Sequence, residues 1–503
     1  MKKVFIIFTA CTLALSCNSY AYKSKVGDVD NNRIRDEKDG AYILRYVTQN
    51  RDIESLYTLD IYDVNADGKA DILDILALLR GESKEKEPII SLKDSERAEK
   101  MDGFINYIYK LENGDPSDGS KWNTESPNQF KWSYINGCMA SAFLRLYEAT
   151  GKTEYKTYAD NYMYGFLNAD GSFKSNVYNG STLVKPNNFS LDDINSGKAV
   201  LELISYESSH SDAYVLLLKN TLYGTVLKGF DDYRTSEGNY FHKVKYPYQV
   251  WLDGTYMALP FALQYEYDIN SGENIENVSA DVTAQFKNIY AKLRNKDTGL
   301  YYHGYCSGND PESGDYGKKS FNWASKNTEH PGCSQCVWLR GQAWYAMALI
   351  DCIELMEEGE DRQEIVKIYT ELMDSVLEYR GENYMWRQVI DGKKEDANYF
   401  ETSGSAGLSY ALMKGYNLGI LPESYYNAGL ESFNAIVDNK LVLNSDGTYS
   451  LSDICRVAGL DDTGRDGSYN YYVNGTEIAS NDAKGMAPLL LAYSEVLKHD
   501  TKY

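Results

Sequence analysis

Six short polar phrases, each followed at once by an apolar run of helical length, recur through the chain from Ser95 onward. Since every phrase leads into an apolar run, the pattern predicts six inner helices that begin alike. If these helices form one ring, the polar phrases should gather at one end of it, here called the mouth. The phrases are, in order, Trp132–Gly137, Leu191–Gly197, Trp251–Gly254, Trp338–Gly341, Glu401–Gly404 and Asn481–Gly485.

Segments with apolar spacing near 3.6 lie between these phrases and predict outer helices. A helix over Glu96–Leu111 has no partner in sequence and would close a ring beside the last helix, Met486–Lys498. Six two-helix hairpins form an all-α (α/α)6 barrel, which we expect over residues 95–503; separate helical bundles are the alternative. The other outer candidates are Glu154–Leu167, Asp212–Lys228, Ala280–Arg294, Arg362–Tyr379 and Pro422–Val437.

The charge balance limits the partners of this chain. A formal net charge of −22 argues against nucleic acid and against an anionic membrane surface. An anionic substrate would therefore need a local basic pocket. The 45 tyrosines suit either stacking on sugars or wet interfaces.

Residues 1–21 are typical of a secretory signal peptide, because Lys2 and Lys3 precede an apolar run that ends near small residues. We therefore expect a secreted, extracellular protein, with lipid attachment at Cys17 left open. No later run is long and apolar enough to predict a membrane span.

Cys333 and Cys336 form a lone C-x-x-C, which favours packing or a local disulfide over zinc.

Two loops near the N-terminus carry oxygen ligands at the spacing that calcium requires. The second has Gly68 at its sharp turn, whereas the first has Arg33 there, so we expect the first site to be weaker. Two solvated acidic turns are the alternative. The predicted ligands are Asp28, Asp30, Asn32, Ile34, Asp36 and Asp39 in the first loop, and Asp63, Asn65, Asp67, Lys69, Asp71 and Asp74 in the second.

Residues 25–80, with these loops each followed by one helix, resemble a type I dockerin. The resemblance implies structural Ca²⁺, a cohesin domain of a scaffoldin as partner, and a cellulosome-associated enzyme. Residues 81–94 are polar, charged and interrupted by Pro88, which indicates a linker.

The expected mouth of the barrel collects two carboxylates, Asp192 and Asp253, beside aromatic platforms. Paired carboxylates predict a glycosidase. Arg340 and His242 would add donors for a substrate carboxylate, so the sugar should be a uronic acid. Asp253 stands among apolar residues, which would raise its pKa and suit a general acid; a helix-capping aspartate is the alternative. Trp132 and Trp344 are the candidate platforms.

Six phrases together resemble, in order, the unsaturated rhamnogalacturonyl hydrolases of glycoside hydrolase family 105. Among them are FSLDDINSGKAVLEL, GLYYHG, WLRGQAWYAMALID and SNDAKGMAPLLLA. The family implies an (α/α)6 barrel that hydrolyses oligosaccharides ending in a 4,5-unsaturated galacturonosyl unit, with no cofactor for catalysis. It also implies that Asp253 is the acid/base and Asp192 the second essential carboxylate. Residues implied to contact sugar or water are Tyr134, His242, Lys243, His303, Arg340 and Trp344.

Two features leave the interpretation open. Asp193 follows Asp192 directly, and Asp192 is preferred because the Leu-Asp step of the family falls on Leu191-Asp192. The segment Gly308–Thr328 departs from the family pattern, so the leaving group is not defined. The alternatives are an unsaturated glucuronyl hydrolase and a non-catalytic sugar-binding or scaffold protein.

Overall fold

The structure, a computed structural model, describes residues 92–112, 117, 121–394 and 397–500. The predicted signal peptide, both calcium loops with all their ligands, and the predicted linker up to residue 91 lie outside these residues. The helices described below belong mainly to a compact unit of Ser91–Gly415 and Glu423–Leu497.

The described residues contain twelve α-helices in the order that the sequence predicts, which confirms the (α/α)6 barrel. The inner helices are α2 (Tyr134–Thr150), α4 (Ser196–Ser205), α6 (Leu252–Asp268), α8 (Leu339–Leu355), α10 (Thr402–Asn417) and α12 (Ala483–Asp500). The outer helices are α1 (Leu92–Glu112), α3 (Thr153–Tyr164), α5 (Ser211–Leu217), α7 (Ile275–Leu293), α9 (Glu360–Glu378) and α11 (Glu423–Asn439).

Burial distinguishes the two layers. Nearly every residue of α6 and α8 is buried, because an inner helix is covered on all sides. Outer helix α7 buries one stripe that includes Val282, Phe286, Ile289 and Leu293, and exposes the rest. The hydrophobic core therefore lies between the inner helices and the inward stripes of the outer ones.

Glycines in the polar phrases let neighbouring inner helices approach closely. A Cβ on Gly137 of α2 would lie 2.5 Å from the Cα of Ser196 at the start of α4. A Cβ on Gly197 of α4 would lie 2.5 Å from the ring of Phe261 on α6. No side chain fits at such distances, so these phrases require glycine for packing.

The first outer helix closes the ring. Arg97 of α1 forms an ion pair of 2.7 Å with Asp438 of α11, and Tyr109 of α1 packs against Tyr158 of α3 with ring centroids 5.2 Å apart. Helix α1 thus contacts the outer helices α3 and α11, from the two ends of the barrel sequence, whereas the sequence predicted a position beside the last helix.

Ion pairs fill the interior between the inner helices. Arg145 of α2 lies 3.2 Å from Glu202 of α4, and Lys414 of α10 lies 2.6 Å from Asp351 and 2.7 Å from Glu354 of α8. All five side chains are largely buried, so each charge depends on its partners for stabilisation.

Six short strands of the described residues pair as three two-stranded antiparallel sheets. Their bounds are β1 (Gln249–Trp251) with β2 (Gly304–Cys306), β3 (Leu441–Leu443) with β4 (Tyr449–Leu451), and β5 (Ile454–Cys455) with β6 (Ile478–Ala479). The first and third of these sheets position side chains of the site described below.

Three helices differ most from the prediction. Helix α1 begins at Leu92, inside the predicted linker, and α7 begins at Ile275 instead of Ala280 because its first turn is polar. The predicted helix Asp212–Lys228 is α-helical only to Leu217 and continues as a π-helix over Leu218–Leu227.

The described cysteines are all unpaired, and five of the six are buried, so packing is the role that the structure supports for them. No helix of the described residues has both the length and the apolar character needed to cross a membrane.

Candidate active site

The two-stranded antiparallel sheet of β1 and β2 places Asp253 beside His303. Strands β1 and β2 pair Trp251 with Gly304, and the amide of Leu252 donates to the carbonyl of His303 at 3.1 Å. Asp253 then begins the first turn of α6, with its Oδ2 3.1 Å from Nε2 of His303. Residues that are 50 positions apart in sequence are thereby brought into direct contact.

Tyr472 completes a chain of three hydrogen-bonded groups. Its hydroxyl lies 2.7 Å from Nδ1 of His303, and burial holds the Tyr472 pKa well above its ordinary value. The hydroxyl therefore keeps its proton, and the ring of His303 links Tyr472 to Asp253 through its two nitrogens. His303 is fully buried, so its ring orientation is fixed.

The expected raised pKa of Asp253 is wrong for this structure. Burial acts to raise the pKa of this carboxyl, as its apolar neighbours suggest, but His303 and His242 outweigh burial and the net pKa is lowered. Asp253 is therefore a carboxylate at neutral pH when no ligand is bound.

Asp192 is paired with Lys243. An antiparallel bridge joins Ser190 to Lys243, and the amide of Leu191 donates to the carbonyl of His242 at 3.1 Å. This bridge brings the ammonium of Lys243 onto Oδ2 of Asp192 in a short ion pair. Burial acts to raise the pKa of Asp192, yet Lys243 and His242 hold it below its ordinary value.

His242 and Trp251 form a flat wall beside the two carboxylates. Their rings stack with centroids 4.5 Å apart, and Nε2 of His242 lies 3.5 Å from Oδ1 of Asp192. Burial lowers the pKa of His242 to about 4, although Asp192 acts in the opposite direction. His242 is consequently neutral near pH 7 and can serve as a hydrogen-bonding group.

Asp193 has a different environment from Asp192. Its carboxyl makes no hydrogen bond or ion pair among the described residues, while its backbone carbonyl accepts from the indole of Trp132 at 2.9 Å. Burial and the adjacent charge of Asp192 raise the pKa of Asp193 to about 7. The structure thus gives the two neighbouring aspartates distinct protonation behaviour.

Arg340 forms no hydrogen bond or ion pair with Asp192 or Asp253 among the described residues. Trp338 contacts both His303 and Arg340, with its ring centroid 4.5 Å from that of His303 and 4.8 Å from the guanidinium. Nη1 of Arg340 donates to Ser403 at 3.1 Å and to the carbonyl of Cys455. Nε is buried without an acceptor among the described residues.

The remaining aromatic candidates occupy different depths. Tyr134 begins α2, and the charges of Glu125 and Asp192 add to burial in raising its pKa. Trp344, one turn beyond Arg340 on α8, is 2% exposed and stacks on Tyr256. Trp132 is 0% exposed, so its ring supports the Asp192 segment and offers no open face to a sugar.

Sequence analysis did not select Tyr472 or Trp251 as site residues. Tyr472 lies in the tyrosine-rich phrase 469–472, where no spacing distinguishes it from Tyr471. Trp251 directly precedes the helix that carries Asp253, and this position is the sequence signal that could have identified it as a site residue. Among the described residues, no group of three or more His, Cys, Asp or Glu side chains could hold a metal ion.

Two largely buried carboxylates, one paired with a lysine and the other hydrogen-bonded to a histidine, are groups chemically suited to acid/base work. Residues 110–500 match the family described as Glycosyl Hydrolase Family 88. The chain therefore belongs to glycosyl hydrolase family 88 and is a glycoside hydrolase.

Solved structures and a curated protein are similar to this chain. A family 105 glycoside hydrolase of C. acetobutylicum ATCC 824 is 32% identical, with 76% of this chain and 98% of that chain covered and a TM-score of 0.64. An unsaturated glucuronyl hydrolase specific for heparin shares the fold at 12% identity, with 80% and 100% covered and a TM-score of 0.54. Protein Atu3128 of Agrobacterium fabrum is 32% identical over 248 residues, 48% of this chain and 98% of that protein.

Proposed function

We propose that this glycoside hydrolase acts on oligosaccharides whose non-reducing end is a 4,5-unsaturated galacturonosyl residue, as left by pectin and rhamnogalacturonan lyases. The observation that carries the proposal is the fixed pair of Asp253, hydrogen-bonded to His303, and Asp192, bound to Lys243. The similarity to a family 105 enzyme at 32% identity supports the same substrate class.

The reaction is hydration of the C4=C5 double bond. Asp253 donates a proton to C4, positive charge develops at C5, and water attacks C5 while returning a proton to the Asp253 carboxylate. The hemiketal formed at C5 opens and expels the aglycone. Asp192 stabilises the positive charge and orients the water.

The lowered pKa of Asp253 sets a condition for this mechanism. The carboxyl must be protonated before it can act as an acid, and an incoming uronate places a second negative charge near it, which raises its pKa. Substrate binding thereby favours the protonated form of Asp253, which acts as the acid. Arg340, whose guanidinium lies beside Trp338, is the candidate partner of the substrate carboxylate.

Asp253→Asn tests the assignment. We expect turnover, followed as loss of the ultraviolet absorbance of unsaturated rhamnogalacturonan disaccharide, to fall by roughly 10³-fold or more, with disaccharide binding retained. Asp268→Asn, at the far end of the same helix, is the matched control and should keep activity. Full turnover by Asp253→Asn would refute the proposal.

The same assay with unsaturated chondroitin disaccharide separates the alternatives. Faster turnover of that substrate in its unsulfated form would favour an unsaturated glucuronyl hydrolase. Absence of turnover on every unsaturated uronide would favour a sugar-binding protein.

For the N-terminal residues we propose that the chain is secreted and that residues 25–80 bind Ca²⁺ and a scaffoldin cohesin. The support is the two predicted calcium loops and the signal-like residues 1–21. This module would anchor the enzyme to a cellulosome next to other polysaccharide-degrading enzymes.

A further inference from the structure

A series of stacked rings leads outward from Asp192. His242 stacks on Trp251, and Trp251 stacks on Tyr246 with centroids 5.4 Å apart and an interplanar angle of 17°. Tyr246 is only half-buried, unlike the two rings beneath it. A partly open aromatic face thus stands two rings away from the carboxylate site.

The segment Gly308–Thr328, which departs from the family pattern, adds a second ring to this region. Its Trp323 is fully buried against Trp251 and Leu460, which fixes the segment in place. Phe321 packs on the same cluster and stays half-buried. The segment therefore extends the wall that begins at His242.

Exposed lysines accompany both half-buried rings. The ammonium of Lys245 lies 5.1 Å from the ring centroid of Tyr246, and that of Lys319 lies 5.4 Å from that of Phe321. Neither lysine forms an ion pair among the described residues, whereas Lys243 is neutralised by Asp192 and Lys318 by Asp315. Two unneutralised cations thus lie beside the site of a chain with a net charge of −22.

The backbone that carries Tyr246 is held in place. Tyr248 adopts a φ of 62°, which is unusual for a residue with a side chain, and its carbonyl accepts from the amide of Ser307 at 3.0 Å.

The nearby carboxyl of Asp193 neutralises the charge of Lys245 only in part, because the pKa of Asp193 is raised to about 7. The two lysines are thus available to a ligand.

We propose that Tyr246, Phe321, Lys245 and Lys319, here called the rim platform, bind the leaving part of the substrate and favour a leaving group that carries an anionic sugar. The inference rests on the proposed function and specifies its substrate class further. The rings stack on the sugar, and the lysines pair with a carboxylate or sulfate on it.

The test compares three unsaturated substrates. The rhamnogalacturonan disaccharide has a neutral leaving sugar, the corresponding tetrasaccharide has a leaving group with a carboxylate, and sulfated chondroitin disaccharide has a leaving sugar with a sulfate. We expect kcat/KM of the full chain to be higher for at least one acidic leaving group, and the two acidic arms identify whether carboxylate or sulfate is preferred.

The double variant Lys245→Ala/Lys319→Ala should lower kcat/KM on the preferred acidic substrate about fivefold and leave the disaccharide within about twofold. Tyr246→Ala should lower kcat/KM about tenfold through KM, whereas Tyr246→Phe, which keeps the ring, should restore it. Lys287→Ala on outer helix α7 and Tyr316→Ala, an exposed ring of the same segment, are matched controls that should change nothing.

The possible failures are distinguishable. If the unaltered protein turns over none of the three substrates, the proposed function fails and this inference fails with it. If it turns over the disaccharide but shows no preference for either acidic leaving group, or if the double variant loses activity equally on all three, the rim platform is refuted while the proposed function stands.

Discussion

Trp132 shows how one side chain can serve a site without touching a substrate. Its ring is fully buried between Phe166 and Phe173, and its indole N–H reaches the carbonyl of Asp193. The hydrogen bond fixes the turn that carries Asp192. A tryptophan selected as a sugar platform from its residue type is therefore better understood as a support.

Trp132→Phe separates the two roles, because it keeps an aromatic ring and removes the N–H donor. We expect kcat to fall about threefold to tenfold with KM little changed, from the loss of one hydrogen bond. Trp386→Phe, which removes a similar bond of 2.7 Å to the carbonyl of Val376, is the control and should leave kcat unchanged. A raised KM with unchanged kcat would instead restore Trp132 as a platform.

Residue types and spacing indicated which carboxylates to select, but not their electrostatic state. The apolar neighbours of Asp253 are local in sequence and predicted a raised pKa. His303, the partner that reverses this pKa shift, is 50 residues away in sequence. Only the pairing of β1 with β2 brings it into contact with Asp253. Contacts of this kind depend on tertiary structure, so no local pattern could have revealed them.

At the scale of helices, the phrases that begin the inner helices were informative because their glycines have a packing role. Gly137 and Gly197 allow contacts that any side chain would prevent. Apolar periodicity likewise located the outer helices. The π-helical stretch Leu218–Leu227 was not predictable, because its apolar residues also fit an α-helix.

Gly197→Ala should destabilise the barrel, since the added Cβ would lie 2.5 Å from the buried Phe261 ring. We expect the free energy of unfolding, measured in urea, to fall by about 1–3 kcal/mol. Gly359→Ala, where a Cβ would meet nothing within 4 Å, is the comparison and should change it by less than about 0.5 kcal/mol. Equal effects of the two substitutions would contradict this packing role.

At the scale of the whole molecule, the interior charges link stability to pH. Burial raises the pKa of Glu202 to about 7 despite Arg145. The unfolded chain ionises this carboxyl near its ordinary value, so the folded state is disfavoured progressively as pH rises from there to 7. Above pH 7 the penalty is complete.

Glu202→Gln removes this penalty, because the amide stays neutral. In urea unfolding we expect the variant to match the unaltered protein at pH 4.5 and to be more stable on the order of 1–3 kcal/mol at pH 8. Glu154→Gln on the exposed face of α3 is the control at both pH values. A variant that is less stable at pH 8 would show that the pair with Arg145 outweighs the burial of the charge.

Calcium should act on the N-terminal residues and not on catalysis. We expect calorimetric titration of the chain to detect two Ca²⁺ sites of unequal affinity, and Asp63→Ala/Asp67→Ala to remove the tighter one. A chelator should leave turnover of the disaccharide unchanged within about twofold, because no metal takes part in the proposed reaction. Loss of turnover on chelation would place calcium in the catalytic part.

The pairing of α1 with α11 has a consequence for biosynthesis. Arg97 and Asp438 are separated by 341 positions, so a ribosome needs on the order of half a minute to deliver the second after the first. Until then α1 can pack on α3 through Tyr109 and Tyr158, but the side that meets α11 has no partner. We therefore expect the nascent barrel to stay open at this seam, and prone to aggregation, until its last helices emerge.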